Sequence, residues 1–243
     1  MTTDRELPNT DALPCLAQAN ALGINSPDTF SSDNLWSYEV GAKGRLGDGR
    51  ATFNAAAFYI DFEDIQQQIQ LECGFQFIAN IGSARSLGFE LDGSIWATDN
   101  LRLEGAIGFT DAEFTEDVGA ISDGDRLQQV PRVTATGSFD YTLDTEIISG
   151  SETFIRGTVS HVGNSISRTV DALNPRIRPG FEIANGRIGV KNDTWQAAIF
   201  VDNIFDTDAI FGDNRTLAAE ALGRPRIVRN RPRTFGLDLR SNF

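Results

Sequence analysis

The protein has 243 residues and a formal net charge of −13, an acidity that argues against a nucleic-acid partner. No apolar run reaches the length of a membrane-spanning helix, and the mean hydropathy is −0.23. That mean does not exclude spanning strands, because such a strand shows lipid only every second residue.

The opening segment, MTTDRELPNTDALP, has neither a basic n-region nor an apolar h-region, so any export signal is expected upstream of Met1. Residues 1–34 are polar, broken by Pro8, Pro14 and Pro27, with one helical turn in LAQANAL and no strand pattern. The period then becomes two. In LWSYEVGAKGRL, Trp36, Tyr38, Val40, Ala42 and Leu46 share one face, and Ser37, Glu39, Lys43 and Arg45 the other. GDG at 47–49 signals a tight turn. ATFNAAAFYIDFEDIQQQIQ reads as one long strand of mixed alternation, and LECGF as a short connection. FIANIGSARSLGFELDGSIW follows, with Leu87, Phe89, Leu91 and Ile95 opposed to Gly88, Glu90, Asp92 and Ser94.

After the short turn TDN, LRLEGAIGF sets Leu101, Leu103, Ile107 and Phe109 against Arg102 and Glu104. A polar connection of about 115–130 precedes RVTATGSFDYTL. There Val133, Ala135, Phe139, Tyr141 and Leu143 oppose Arg132, Thr134, Thr136, Ser138 and Asp140. TFIRGTVSHV, FEIANGRIGV, WQAAIFVDNIF and TFGLDLRSNF complete a series of about nine strands. The connections alternate: GDG, TDN, the DTEIISG region and ND are the short ones, while LECGF, 115–130, 164–180 and 207–230 lie at the other end.

Alternation alone also fits a soluble sandwich. Three features favour lipid. The apolar stripes reach the roughly nine to eleven residues that a tilted strand needs to cross a bilayer. Aromatics are expected near stripe ends, at Trp36, Tyr38, Phe109, Tyr141, Trp195 and Phe243. The opposite faces carry charge on nearly every strand, as a hydrated lumen permits. The expected fold is all-β, an antiparallel up-and-down transmembrane barrel wall. An odd strand count does not suit closure of this wall on itself, because single-chain bacterial barrels are usually even.

SYEVGAKGRL, FNAAAFYIDFEDIQQQI, NIGSARSLGFELDG, FTDAEF, VDNIFD at 201–206 and the ending RPRTFGLDLRSNF resemble, in order, TonB-dependent outer-membrane receptors. The resemblance covers about residues 35–243 and implies carboxy-terminal strands of a twenty-two-stranded barrel. Residues 1–34 then read as an extracellular loop segment, and no plug domain or TonB-contacting box is recognised. The family implies a multi-pass outer-membrane transporter of a Gram-negative bacterium, not an enzyme. Its cargo would be siderophores, other metal chelates, vitamins or sugars, and it would meet the TonB complex only through a plug. Phe235, Leu237, Leu239 and Phe243, with Ser241 interrupting the face, resemble the signal read by the barrel-assembly machinery through β-augmentation. The alternatives are a small self-contained outer-membrane channel or adhesion barrel, and a secreted soluble β-sandwich binding module.

Cys15 and Cys73 fall by parity in neighbouring loops at the extracellular end, where a disulfide between them is expected. Arg224, Arg226, Arg229, Arg231 and Arg233 form a basic run in an acidic chain. They could contact an anion, either lipopolysaccharide phosphate or an anionic substrate, but pairing with lumenal and loop carboxylates is the favoured reading. His161, the one histidine, adjoins Ser160, but neighbours on a strand point to opposite faces, so catalysis is not expected. Asp123 and Asp125 lack the further ligand spacing of a calcium loop. No cofactor and no metal is expected; the remaining partners are outer-membrane lipid and a small-molecule substrate.

Overall fold

The computed structural model describes residues 13–23, 27–71, 76–167, 176–214 and 226–241. Its elements are α1 (Leu13–Leu22), β1 (Asn34–Leu46), β2 (Ala51–Glu63), β3 (Gln66–Gln70), β4 (Gln76–Asn80), β5 (Ala84–Trp96), β6 (Leu101–Phe114), β7 (Val133–Leu143), β8 (Glu152–Val162), β9 (Ser165–Ile166), β10 (Ile177–Arg178), β11 (Phe181–Lys191), β12 (Trp195–Asp202), β13 (Ile210–Asn214), β14 (Arg226–Arg229) and β15 (Thr234–Ser241).

Nine of these strands make one antiparallel sheet in the order β1-β2-β5-β6-β7-β8-β11-β12-β15. Every step is a neighbour-to-neighbour connection, as in an up-and-down barrel. An odd number of antiparallel strands leaves β1 and β15 running in the same direction, so this sheet is not closed by antiparallel pairing of its own edges.

The register carries parity from strand to strand without a break. One row runs Leu46–Ala51–Ile95–Leu103–Phe139–Gly157–Gly186–Val201–Phe235. The adjacent row of the same face runs Tyr141–Ile155–Ile188–Ile199–Leu237. The opposite face carries Arg45–Thr52–Ser94–Glu104–Ser138–Thr158–Asn185. The apolar face is bare: Val40, Leu237 and Leu239 are 72%, 73% and 76% exposed. A sandwich would cover that face with a second sheet, and no described element does so.

Tight turns join the strands at one end. At 47–50 the Arg50 N–H donates to the Gly47 carbonyl, with Gly47, Asp48 and Gly49 all at positive φ, which only glycine and short polar residues adopt readily. Neighbouring turns are tied together: Arg50 pairs with Asp99, and Asn100 donates to Asp144.

Two expectations need correction. The segments 51–70 and 76–96 are each two strands, not one. The backbone leaves the sheet at Asp64 (φ 54), and β3 and β4 pair with each other as a separate hairpin. Phe109 sits in the middle of β6, stacked on Phe89 at 5.7 Å between ring centroids, and not at a stripe end. A cross-strand aromatic pair accounts for it better than an interface belt.

The two faces predict opposite responses at adjacent positions of β6. Ile107→Arg on the apolar face should lower unfolding stability in bilayers by about 2–4 kcal/mol, while Ala106→Arg on the polar face should change it little. Urea unfolding of both variants in lipid vesicles measures this, and equal losses would contradict the assignment of faces.

Candidate ligand-facing surface

The polar face has three levels. Nearest the tight turns it is an ion-pair ladder. Arg156 pairs with Asp140, Arg102 with Glu104, and Asp238 with both Arg240 (2.9 Å) and Arg187 (3.6 Å). Lys191 reaches Glu152 at 3.4 Å. These groups are partly exposed, so each pair adds little stability and the ladder chiefly keeps the face charged and wet. Thr52 and Ser94 share a hydrogen bond beside the tight turns, with Asn54 donating to Asp92 one step further in, and the middle level carries hydroxyls and amides, as where Asn185 donates to Thr158.

At the long-loop end this same face turns apolar and is covered. Phe62, Ala84 and Phe114 form one register row of polar-face parity, and Ala84 and Phe114 are only 2% exposed. Ile69, Leu71, Phe77, Ala79 and Ile81 from the β3–β4 hairpin pack there, with Ile121 and Leu127 from the β6–β7 connection and Ala19 from α1. Burying side chains such as Ile69, Leu71, Ile81 and Ile121 contributes about 1.5–3 kcal/mol each. The loops therefore fold inward over the polar face as a built cap.

Hydrogen bonds fasten the cap. Asn80 accepts from the Ser31 N–H at 2.8 Å and donates to the carbonyls of Ser31 and Asp64. Gly82, at φ 91, lies so close to Glu116 and Val118 that a Cβ would meet Val118 at 2.8 Å. Arg126 donates to the Asn164 side chain at 3.0 Å and to the Val130 carbonyl at 3.1 Å, joining two long connections. Burial, then the neighbouring Arg132, holds the Arg126 guanidinium below its ordinary pKa. The Gln129 N–H donates to the Ile166 carbonyl at 2.7 Å, beside a bridge between Gln128 and Ile166.

A second node was not read from the sequence. Asn203, 3% exposed at φ 55, turns the chain out of β12. Its amide donates to the carbonyls of Thr207 and Arg231, its oxygen accepts the Thr207 N–H, and its own N–H donates to Asn185. Within VDNIFD only an asparagine offers both donors and an acceptor at a left-handed position.

The singled-out residues are distributed as follows. Phe235, Leu237 and Leu239 share the apolar face of β15, while Phe243 lies outside the described residues. Cys73 and Arg224 also lie outside them, as do the side chains of Cys15 and Arg226. Arg229 pairs with Asp208, and Arg233 reaches Asp206 at 3.7 Å. Asp125 accepts the Ser122 N–H within a turn, and Asp123 donates its N–H to Asp117. His161 bonds Glu182 at 2.7 Å on the apolar-face parity, and Ser160 lies on the other face. Arg132, expected among the polar-face residues, instead precedes β7 and pairs with Asp111, the register partner of apolar-face Leu87. Among the described residues no group of three or more His, Cys, Asp and Glu side chains could hold a metal.

A single-layer antiparallel sheet with one bare apolar face, one charged face, tight turns at one end and folded loops at the other is the wall of a transmembrane β-barrel. The family model for TonB-dependent receptor-like β-barrels matches residues 17–204, and the chain belongs to that family of outer-membrane receptors and transporters. It is 28% identical over 209 residues to the ferric-pyoverdine M114 receptor PbuA of Pseudomonas sp. strain M114, covering 85% of this chain and 24% of that receptor. Over 103 residues it is 39% identical to the metal-pseudopaline receptor CntO of Pseudomonas aeruginosa, covering 42% of this chain and 14% of that one. The ferric yersiniabactin uptake receptor FyuA of Yersinia pestis shares the fold, with a TM-score of 0.71 at 22% identity, over 88% of this chain and 30% of that one. The chain thus spans about a quarter or less of the length of these curated relatives.

Two substitutions test the built parts. Ile121→Ala should destabilise the cap by about 2–5 kcal/mol. Hydrogen exchange should then speed up in 64–71, 76–82 and 115–127 but not in β7, β8 and β11; uniform acceleration would show that cap and sheet are one unit. Asn203→Ala leaves buried donors and acceptors unmatched and should lower the urea midpoint by the equivalent of about 2–3 kcal/mol.

Proposed function

We propose that this chain is part of the wall of a TonB-dependent receptor in the outer membrane of a Gram-negative bacterium. The receptor takes up a metal chelate, with a siderophore as the leading class. The observation that carries this reading is the folded cap over the polar face, which makes the long-loop end a shaped, extracellular vestibule rather than an open pore. The two curated relatives are named for metal-chelate cargo, which supports the chelate class over vitamins or sugars. Residues 1–34 serve as an extracellular loop segment and residues 35–243 as carboxy-terminal strands, with TonB engaged through a plug domain. The barrel-assembly machinery engages the face of Phe235, Leu237, Leu239 and Phe243. A Cys15–Cys73 disulfide would clip α1 to the connection between β3 and β4.

A self-contained channel is the weaker reading, because β1 and β15 run in the same direction. Deleting the coding sequence in its host should reduce uptake of a radiolabelled ferric siderophore under iron restriction to the level of a strain lacking TonB. Unchanged uptake across ferric and cupric chelates would overturn the chelate reading.

A further inference from the structure

At the tight-turn end, the connections 47–50, 97–100 and 192–194 are three or four residues long, but 144–151, between β7 and β8, runs to eight. This longer turn, DTEIISGS, is firmly built. The Ser151 hydroxyl and N–H both donate to the Ile148 carbonyl, at 2.6 and 3.1 Å. The Gly150 N–H donates to the Glu146 carboxylate at 3.0 Å, and the Thr153 hydroxyl donates to the Thr145 carbonyl at 2.7 Å. Ser151 and Thr153 are buried. Yet the apex of the turn holds out two isoleucines: Ile147 is 67% and Ile148 47% exposed. Turns ordinarily take Gly, Pro, Asn, Asp or Ser, and two adjacent β-branched apolar side chains break that rule for little packing within the chain.

The flanks of the same turn, on either side of the isoleucines, border a recess of about 830 Å³ that continues to the turn at 192–194. Asp144, Glu146, Glu152 and Asp193 line it, against one cation, Lys191, which reaches Glu152 at 3.4 Å. Asp144 accepts from the Asn100 amide and Glu146 from a backbone N–H, both neutral donors, so the two carboxylates keep their charge for an incoming cation. A recess of this size suits an organic group or several side chains. Among the described residues no group of three or more carboxylates could hold a metal ion. A negative recess beside an apolar lip fits a polycation that also carries apolar side chains, which is the chemistry of a basic peptide segment.

We propose that the 144–151 turn and its recess dock a basic segment of a soluble periplasmic protein. The site rests on the outer-membrane reading above, which sets the tight turns on the periplasmic side. Lysine or arginine side chains of the segment enter between Asp144, Glu146 and Asp193, and an apolar neighbour covers Ile147 and Ile148. Because the turn is already fixed by its own hydrogen bonds, little ordering is needed on the receptor side.

The test uses the full receptor recovered from the outer membrane of its host and placed in nanodiscs of phosphatidylcholine. The probe is an end-capped, fluorescein-labelled six-residue peptide of alternating lysine and leucine, read by fluorescence anisotropy. It should bind saturably, and more weakly as salt is raised. A peptide of alternating glutamate and leucine should not bind. Glu146→Gln combined with Asp193→Asn removes two charges from exposed positions and should weaken binding about tenfold. The glutamine oxygen can still accept the Gly150 N–H, so the turn is kept. Ile147→Ser should weaken binding about fivefold. Asp123→Asn, an exposed change in the β6–β7 connection at the long-loop end, should bind as the unaltered receptor does. No binding to the full receptor, equal binding of the glutamate peptide, or binding unchanged by the double variant would overturn the site. Loss with Asp123→Asn as large as with the double variant would do the same, and binding indifferent to Ile147→Ser would overturn the peptide in favour of a bare polycation. Each of these outcomes is independent of chelate uptake, whose failure overturns the transport reading instead.

Discussion

The structure depends on one constraint: in hydrocarbon, each backbone N–H and C=O must be bonded within the protein, because an unmatched group costs several kcal/mol. A continuous antiparallel ladder meets that constraint, and here it runs through nine strands without a register break in the sheet. Unbroken register has a second effect. Because the side-chain period is two, it copies the facing of one strand onto the next, so apolar and polar residues stay sorted across the whole wall. The same ladder thus satisfies the backbone and separates a membrane surface from an aqueous one.

The departures from simple alternation gather toward the long-loop ends of the strands. On the apolar face, charge appears toward the long-loop ends of strands, as in Arg85 with Glu113 and His161 with Glu182. On the polar face, apolar residues appear toward the same end, where the loops fold over them. Each exception marks a change of surroundings: the interfacial end of the outward face, and the loop-covered end of the inward one.

Much of this was legible in the sequence. The facing of Trp36 through Leu46, Leu87 through Ile95 and Val133 through Leu143 follows from period two alone, because only the backbone pleat is involved. The cap was not legible. Ile69, Leu71, Ile81 and Ile121 read as polar-connection residues or as strand continuation, since their partners lie far away in the chain. The break at Asp64 carried no glycine or proline to announce it. Asn203 stood inside a recognised run, yet its role rests on four hydrogen bonds, including one to Arg231, which no local pattern records. Long-range loop packing and side-chain-to-backbone bonding thus escaped a reading that caught sheet parity well.

The shared direction of β1 and β15 has an arithmetic consequence for assembly. Whatever completes an all-antiparallel ring with this wall must contribute an odd number of strands, because a closed ring of alternating directions holds an even total. A second copy of the same wall brings nine strands, an odd number, but kept upright by the membrane it would set its margins parallel to β1 and β15 and break the alternation. The direction of the two margins therefore acts as a sorting rule: it rejects self-pairing and admits only a wall of odd count whose margins run opposite to β1 and β15.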